Sequence, residues 1–256
     1  MTLNPDNFQA VLFDLDGVLT MTMPLHAACW KRMFDDYLRQ RAQSGDEEFH
    51  PFEIASDYHV HVDGKLRQDG VRSFLVARGI ELPEGEPDDP PERETVHGLG
   101  NRKNEMVNQA IATEGVEVIH GSLEMAHRLR SRGVRTAVVS ASKNCRTVLK
   151  VCGIESLFEV VVDGKLAARL GLPGKPSPAT FLEAARKLQV EPAQTVVVED
   201  AIAGVQAGRA GGFGLVIGID HHDQPQSLLQ AGADLVVKDL SELFASMPMS
   251  SAGDPS

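Results

Sequence analysis

The sequence predicts an α/β protein: a parallel sheet covered by helices on both faces, split by a mostly helical insert. Three observations predict it. From Gly121 onward, helical and strand patterns alternate, and the strands are short, apolar and valine-rich, as in sheets buried on both sides. A matching apolar run, Ala10–Phe13, stands near the N-terminus. From about Pro24 to Thr113 no strong buried strand is evident, and apolar residues recur mainly at helical spacing. The sheet domain therefore takes residues 1–22 and 114–256, and the insert takes residues 23–113.

Ala10–Phe13 reads as the first strand, followed by Asp14, Leu15, Asp16 and Gly17. The acids fall at the C-terminal edge of the strand, where ligands bind in open α/β sheets. Two carboxylates this close repel unless a cation or a shared proton stabilises them. The run points to Mg²⁺, or to one ionised acid beside one protonated acid. The alternative is a strand ending in a helix cap or an Asx turn. An EF-hand loop is disfavoured, because Gly17 stands fourth rather than sixth and the run stays apolar.

Within the insert, Leu25–Arg41 has helical spacing with Pro24 at a first turn. Pro51–Ser56 follows, then a turn at Asp63-Gly64 and a helical pattern over Val71–Ala77. Glu81–Glu94 is acidic, carries Pro83, Pro87, Pro90 and Pro91, and reads as an irregular loop. Asn101–Ala112 is helical.

The sheet domain then resumes. Leu123–Ser131 is a helix stopped by Gly133, and Val134–Val139 is a strand. Lys143–Val151 is a helix ending at Gly153, and Phe158–Val162 is a strand. Ser177–Leu188 is a helix opened by Pro178, and Thr195–Val198 is a strand. Ala201–Ala210 is a small-residue helix, Gly214–Ile219 a strand, and Gln224–Gln230 a helix. Ala233–Val237 is the last strand, followed by Leu240–Ala245 and a small, polar tail, Met247–Ser256, expected to fray.

Composition narrows the partners. The 256 residues are 42% hydrophobic, enough for a sizeable core, and carry 25 Lys plus Arg against 36 Asp plus Glu. The resulting formal charge of −11 argues against a general nucleic-acid or membrane surface. An anionic small substrate would need basic residues concentrated at one site. No apolar run approaches the ~20 residues that span a bilayer, and Met1–Asn7 lacks the features of a signal peptide. Cys29, Cys145 and Cys152 are too few for a disulfide framework and wrongly spaced for a closed zinc site. Buried thiols in a reducing cytoplasm are the expectation, as is a monomer.

Four strand ends carry chemistry. The first holds Asp14 and Asp16. The second holds Ser140, Ala141, Ser142, Lys143 and Asn144 before a helix whose N-terminus suits a phosphate; the alternative is simple capping by Ser140 or Ser142. The third is Gly174-Lys175-Pro176-Ser177-Pro178, where two prolines hold Lys175 in place; the alternative is a solvated loop lysine. It is not a P-loop, because Pro176 stands where Ser or Thr is required. The fourth is Val196–Asp200, a buried strand ending in Glu199 and Asp200, with Asp200 as an alternative helix cap. Sheet topology would gather all four ends at one edge. A carboxylate nucleophile, a divalent ion and a lysine suit phosphoryl transfer through an aspartyl-phosphate.

With these motifs the chain resembles the haloacid dehalogenase superfamily, and within it the β-phosphoglucomutase-like branch. The matched pieces, in the family's order, are Phe13-Asp14-Leu15-Asp16-Gly17-Val18, Ser140–Asn144, Gly174–Pro178 and Glu199-Asp200-Ala201-Ile202-Ala203-Gly204-Val205. The resemblance spans Val11 to about Val237 and implies a Rossmann-like core with an inserted helical cap. It implies Asp14 as the nucleophile, and Asp16 as general acid and base with its backbone carbonyl on Mg²⁺. Glu199 and Asp200 would complete the metal site, and Ser140 and Lys175 would hold the transferring phosphoryl group. Ser142, Lys143 and Asn144 would extend the substrate contacts.

In the resembling enzymes the insert is a mobile cap that sets the substrate. His26 matches a hinge histidine, Arg67 a ligand of the non-transferring phosphate, and Lys103 a second cation that reaches the sugar phosphate. Without that context Arg67 and Lys103 would be solvated helix residues. His26 would be a helix-end histidine, and Trp30 either packs or lines the sugar site. The chain departs from the pattern at Met21, where Asp is usual, at Ala201, where Ser is frequent, and in the added loop Glu81–Glu94. The resemblance implies a Mg²⁺-dependent mutase interconverting β-glucose 1-phosphate and glucose 6-phosphate. The alternative is a phosphatase acting on sugar phosphates.

Overall fold

A computed structural model describes residues 7–45 and 48–246. In chain order its main elements are β1 (Ala10–Phe13), α1 (Met23–Ser44), a π-helical segment (Ile54–Val62), α2 (Arg67–Ala77), α3 (Val96–Glu114), α4 (His120–Ser131), β2 (Arg135–Val139), α5 (Cys145–Val151), β3 (Val160–Val162), α6 (Gly164–Leu170), α7 (Ala179–Leu188), β4 (Thr195–Glu199), α8 (Ile202–Ala210), β5 (Leu215–Ile219), α9 (Pro225–Ala231) and β6 (Leu235–Val237). The chain divides into two compact units. One holds the chain up to Met21 and again from Glu117; the other is Thr22–Val116. The first crossing lies one residue before the boundary read from sequence. The second lies three residues beyond it, because α3 runs on to Glu114 and Met21 N–H donates to Glu117 O.

The first unit is a six-stranded parallel sheet in the order β3-β2-β1-β4-β5-β6. From central β1 the chain moves outward to β3, then crosses back to β4 and moves outward to β6. The switch point therefore falls between β1 and β4, where open α/β sheets bind ligands. Phe13 pairs in register with Val138 on one side and Val198 on the other. One residue further along come Asp14, Val139 and Glu199, level with one another at the C-terminal edge.

The valine runs follow from burial on both faces. Ala10, Leu12, Ala137, Val139 and Val197 join Phe181, Ala184, Leu188 and Val205 in one core beneath α7 and α8. Their strand neighbours Val11, Phe13, Val138 and Val196 are equally buried and point to the other face. No helix among the described residues is long and apolar enough to cross a membrane.

Several boundaries differ from the sequence reading. α3 starts at Val96 rather than Asn101, because Thr95 caps it by accepting the Gly98 N–H at 2.9 Å. α5 starts at Cys145, β3 at Val160 and α7 at Ala179, with Pro178 at the cap position rather than in the helix. α6 lacks a counterpart in the sequence reading; Asp163 caps it by accepting the Leu166 N–H at 2.8 Å. Ile54–Val62 is π-helical, where the sequence offered only an undefined stretch. Leu240–Ser246 closes the described chain as a 3₁₀ segment, and the tail expected to fray, Met247–Ser256, lies outside the described residues.

The insert unit packs around aromatic rings. Phe34 has no exposed surface and lies 5.3 Å from Trp30, 5.2 Å from Phe52 and 4.1 Å from Phe74 between ring centroids. The loop Glu81–Glu94 is irregular, as read, yet fixed. Buried Asp89 accepts from Glu86 N at 3.1 Å, Thr95 Oγ1 at 2.7 Å and Arg93 at 2.6 Å.

Phe34→Ala is expected to cost about 3–5 kcal/mol of insert stability through cavity formation. Denaturant unfolding followed by Trp30 fluorescence measures it, Trp30 being the chain's single tryptophan. A loss under about 1 kcal/mol would show that the aromatic core closes over the gap.

Candidate active site

Asp14 follows β1, and its backbone N–H continues the sheet by donating to Val198 O at 3.0 Å. Lys175 reaches it from the loop ahead of α7, where its peptide bond to Pro176 is cis. Lys175 Nζ lies 2.5 Å from Asp14 Oδ1, also bonds Glu199 Oε1, and lies 3.3 Å from Val139 O. Lys175 is only 3% exposed, so it is not a solvated loop lysine. Burial pushes the Asp14 carboxyl up to about 6, partly offset by Lys175 and reinforced by the charge of Asp16. Burial likewise pushes Glu199 up to about 7, with Lys175 pulling back and Asp14 adding to the rise. Burial also works against the Lys175 charge, but the two carboxylates outweigh it and its pKa is raised.

Asp14, Glu199 and Asp200 present carboxylate oxygens within 4.8 Å of one another. Three carboxylates against one ammonium leave two negative charges, the charge balanced by one divalent cation. All the donors are hard oxygens, which suit Mg²⁺ or Ca²⁺ rather than zinc or copper. The Asp16 carboxylate lies outside this group. The loop that carries it is tied down: Gly17 N–H donates to Thr20 O at 2.7 Å, and Thr20 Oγ1 donates to Leu15 O at 3.1 Å. Gly17 takes φ +84°, a left-handed conformation that favours glycine.

The cap positions of α5 and α8 are Asn144 and Ala201, and neither makes a side-chain cap bond. Buried Ser140 instead accepts the Ser142 N–H at 3.0 Å, and Ser142 accepts the Asn144 N–H at 3.1 Å. Ser140 follows β2 as Asp14 follows β1, placing its hydroxyl at the same sheet edge. Lys143 and Asn144 lie half-buried on this turn.

Gly204, within the fourth motif, leaves the space in which the Glu199 carboxylate sits. A Cβ on Gly204 would lie 2.0 Å from the Glu199 carboxylate. A side chain at this position would force the buried Glu199 carboxylate to shift away from Lys175.

Within the insert unit, three elements bring the remaining candidates together. Lys103, on α3, is 5% exposed, not a solvated helix residue. Its Nζ lies 2.7 Å from His26 Nδ1 and 4.9 Å from the Trp30 ring centroid. An ammonium only donates, so Nδ1 accepts and His26 is a neutral imidazole with its proton on Nε2. Burial, then the Lys103 charge, hold the His26 pKa well below the usual value. Arg67 opens α2 and donates to Asn101 Oδ1 at 3.3 Å, while its buried Nε has no hydrogen-bond partner. Burial lowers its pKa to about 10, which still leaves it charged at neutral pH.

A family model described as haloacid dehalogenase-like hydrolase matches residues 8–212. The chain belongs to the haloacid dehalogenase-like hydrolase family. It is 49% identical over 243 residues to a β-phosphoglucomutase of Mycobacterium bovis, covering 94% of this chain and 93% of that one. It is 31% identical to a β-phosphoglucomutase of Bacillus subtilis, covering 92% and 91%. Among solved structures, a β-phosphoglucomutase of Clostridium difficile superposes with a TM-score of 0.71 at 23% identity, covering 92% and 93%, a likeness of fold.

For a haloacid dehalogenase-like hydrolase, Gly204→Ala is an informative variant. In an ordinary helix the change would stabilise by about 1 kcal/mol. Here it is expected to weaken binding of a divalent cation at Asp14, Glu199 and Asp200 about 10- to 100-fold, as loss of a supporting contact does at metal sites. Isothermal titration with Mg²⁺ reads this. An unchanged titration would show that Glu199 has another productive position.

Proposed function

We propose that this chain is a Mg²⁺-dependent β-phosphoglucomutase, interconverting β-glucose 1-phosphate and glucose 6-phosphate through glucose 1,6-bisphosphate. The observation that carries the reading is the set of buried Asp14, Lys175 and Glu199 with half-buried Asp200 at the switch point of the sheet. The 49% identity to a relative named β-phosphoglucomutase selects the mutase among phosphoryl-transfer reactions.

In this proposal an Asp14 oxygen attacks phosphorus, and the bond from phosphorus to the donor oxygen breaks. Asp16 gives its proton to the departing oxygen. In the second half the 6-hydroxyl of β-glucose 1-phosphate loses its proton to Asp16 and takes the phosphoryl group from Asp14, giving glucose 1,6-bisphosphate, whose 1-phosphoryl group then returns to Asp14 as glucose 6-phosphate departs. Lys175 is held against Asp14 and offsets the repulsion between a carboxylate and an anionic phosphate. Ser140 would donate to the transferring group. Asp14, Glu199, Asp200 and the Asp16 backbone carbonyl would hold Mg²⁺. Gly17 N–H bonds Thr20 O, so across the trans peptide the Asp16 carbonyl faces the opposite way. When bound, the ion supplies charge stabilisation to the phosphoryl oxygens.

The insert would supply recognition. The orphaned Arg67 Nε is a buried cationic donor without an acceptor, which suits the non-transferring phosphate. His26 and Lys103 would hold the sugar, backed by Trp30, which packs on Phe34, with Ser142, Lys143 and Asn144 as further substrate contacts in the core. A cytoplasmic setting suits the cysteines, of which Cys29 and Cys145 are buried thiols.

A paired assay tests the proposal: β-glucose 1-phosphate with Mg²⁺ and a trace of glucose 1,6-bisphosphate, following glucose 6-phosphate and free phosphate separately. Glucose 6-phosphate is expected as the main product. Free phosphate as the main product would make the chain a sugar-phosphate phosphatase. Asp14→Asn is expected to abolish turnover while the thermal transition is kept, and normal turnover in that variant would overturn the covalent route.

A further inference from the structure

We propose that His221 is a positioning residue for the general acid, acting through the backbone of Gly17. His221 lies just past β5, two strands from β1 across β4, a separation of roughly 9–10 Å. Its ring is half-buried, and Nε2 lies 2.7 Å from the Gly17 carbonyl oxygen. A carbonyl only accepts, so Nε2 carries the proton and donates.

His221 is itself held. The preceding Asp220 is buried, and its backbone N–H extends the sheet by donating to Val237 O at 2.8 Å. Its carboxylate accepts from His222 N at 3.0 Å and Gln224 N at 3.1 Å. The turn after β5 is therefore rigid where His221 leaves it.

The consequence lies in what Gly17 connects. Its N–H is bound by Thr20 O and its C=O by His221. Both peptide planes that flank Gly17 are thus fixed, although its left-handed φ and missing side chain leave it little intrinsic rigidity. Asp16 is the residue immediately before. Thr20 ties the loop to itself, whereas His221 ties it to the far half of the sheet. Among the described residues the only other hold on the Gly17–Val18 plane is a long bond from Val18 N–H to Leu15 O, 3.4 Å, so without His221 the plane is loosened and the Asp16 carboxyl loses its aim at the leaving oxygen.

The inference rests on the phosphoryl-transfer reading, and two phosphoesters separate the two. A sugar phosphate needs a proton delivered to its departing oxygen as the P–O bond breaks. p-Nitrophenyl phosphate does not, because p-nitrophenolate leaves as an anion. With Mg²⁺ present, His221→Ala is expected to lower kcat for β-glucose 1-phosphate about 10- to 100-fold with KM within about twofold. The burst of p-nitrophenolate is expected to slow by less than about threefold, since general-acid assistance is absent from that step. His221→Gln, whose amide can reach the same carbonyl, is expected to restore most of the loss. If the alanine variant fails to fold, His221→Asn, whose amide falls short, takes its place against His221→Gln. Equal losses on both esters, or none on either, overturn the positioning role and leave the phosphoryl-transfer reading standing. A wild-type chain inert toward both esters overturns that reading and the inference with it.

Discussion

The placement of Lys175 between Asp14 and Glu199 is the interaction on which the rest of the structure depends. Each of these groups alone would be costly to bury. Together they are tolerated, because each charge finds an opposite charge in bonding range. That juxtaposition needs β1 and β4 adjacent and in register, and the α7 entry loop folded back over their ends. Adjacency follows from the crossover that sends the chain from β3 back past β1. A site of this kind adds little net stability. It is held by the hydrophobic sheet beneath it, in which Val196, Val197, Leu12 and Phe13 are buried on both faces.

Close approach is secured by missing side chains as much as by present ones. Gly204 leaves room for the Glu199 carboxylate. Gly164, at the start of α6, would bring a Cβ to 2.5 Å from Ala141 O, so α6 lies directly behind the turn that carries Ser140. A short helix with no visible part in the chemistry thereby supports the second strand end. The same logic holds at Gly17, where a left-handed φ lets the chain turn just beyond Asp16.

What was legible in the sequence follows from the range of the interactions. Valine runs report burial on both faces, so all six strands could be read to within about two residues, whereas the start of α3 was misplaced by five because the Thr95 cap opens it earlier. The site residues Asp14, Ser140, Lys175 and Glu199 were legible because each sits next to a strand end or a proline-fixed turn. The cap positions of α5 and α8 themselves go to Asn144 and Ala201, not to Ser140, Ser142 or Asp200. Gly204 and His221 could not be read this way. The demand on Gly204 depends on where Glu199 points, and the His221 contact joins residues 204 positions apart. α6 has seven residues, too few for its helical period to stand out.

Net charge also proves a poor guide to local chemistry. At −11 the chain as a whole repels phosphate. Yet Lys175 and Lys103 are among its most buried polar groups, 3% and 5% exposed, and Arg67 buries a donor with no partner. Exposed charges are screened within about 8 Å at physiological salt, whereas buried ones are screened far less. Arg67 and Lys103, held out of water in the insert, therefore count for more at their own positions than acids spread over the surface, whereas the Lys175 charge is taken up in offsetting Asp14 and Glu199. Acidic composition excludes broad polyanion surfaces, and it leaves the recognition of a small phosphorylated ligand to residues that must be sought in the interior.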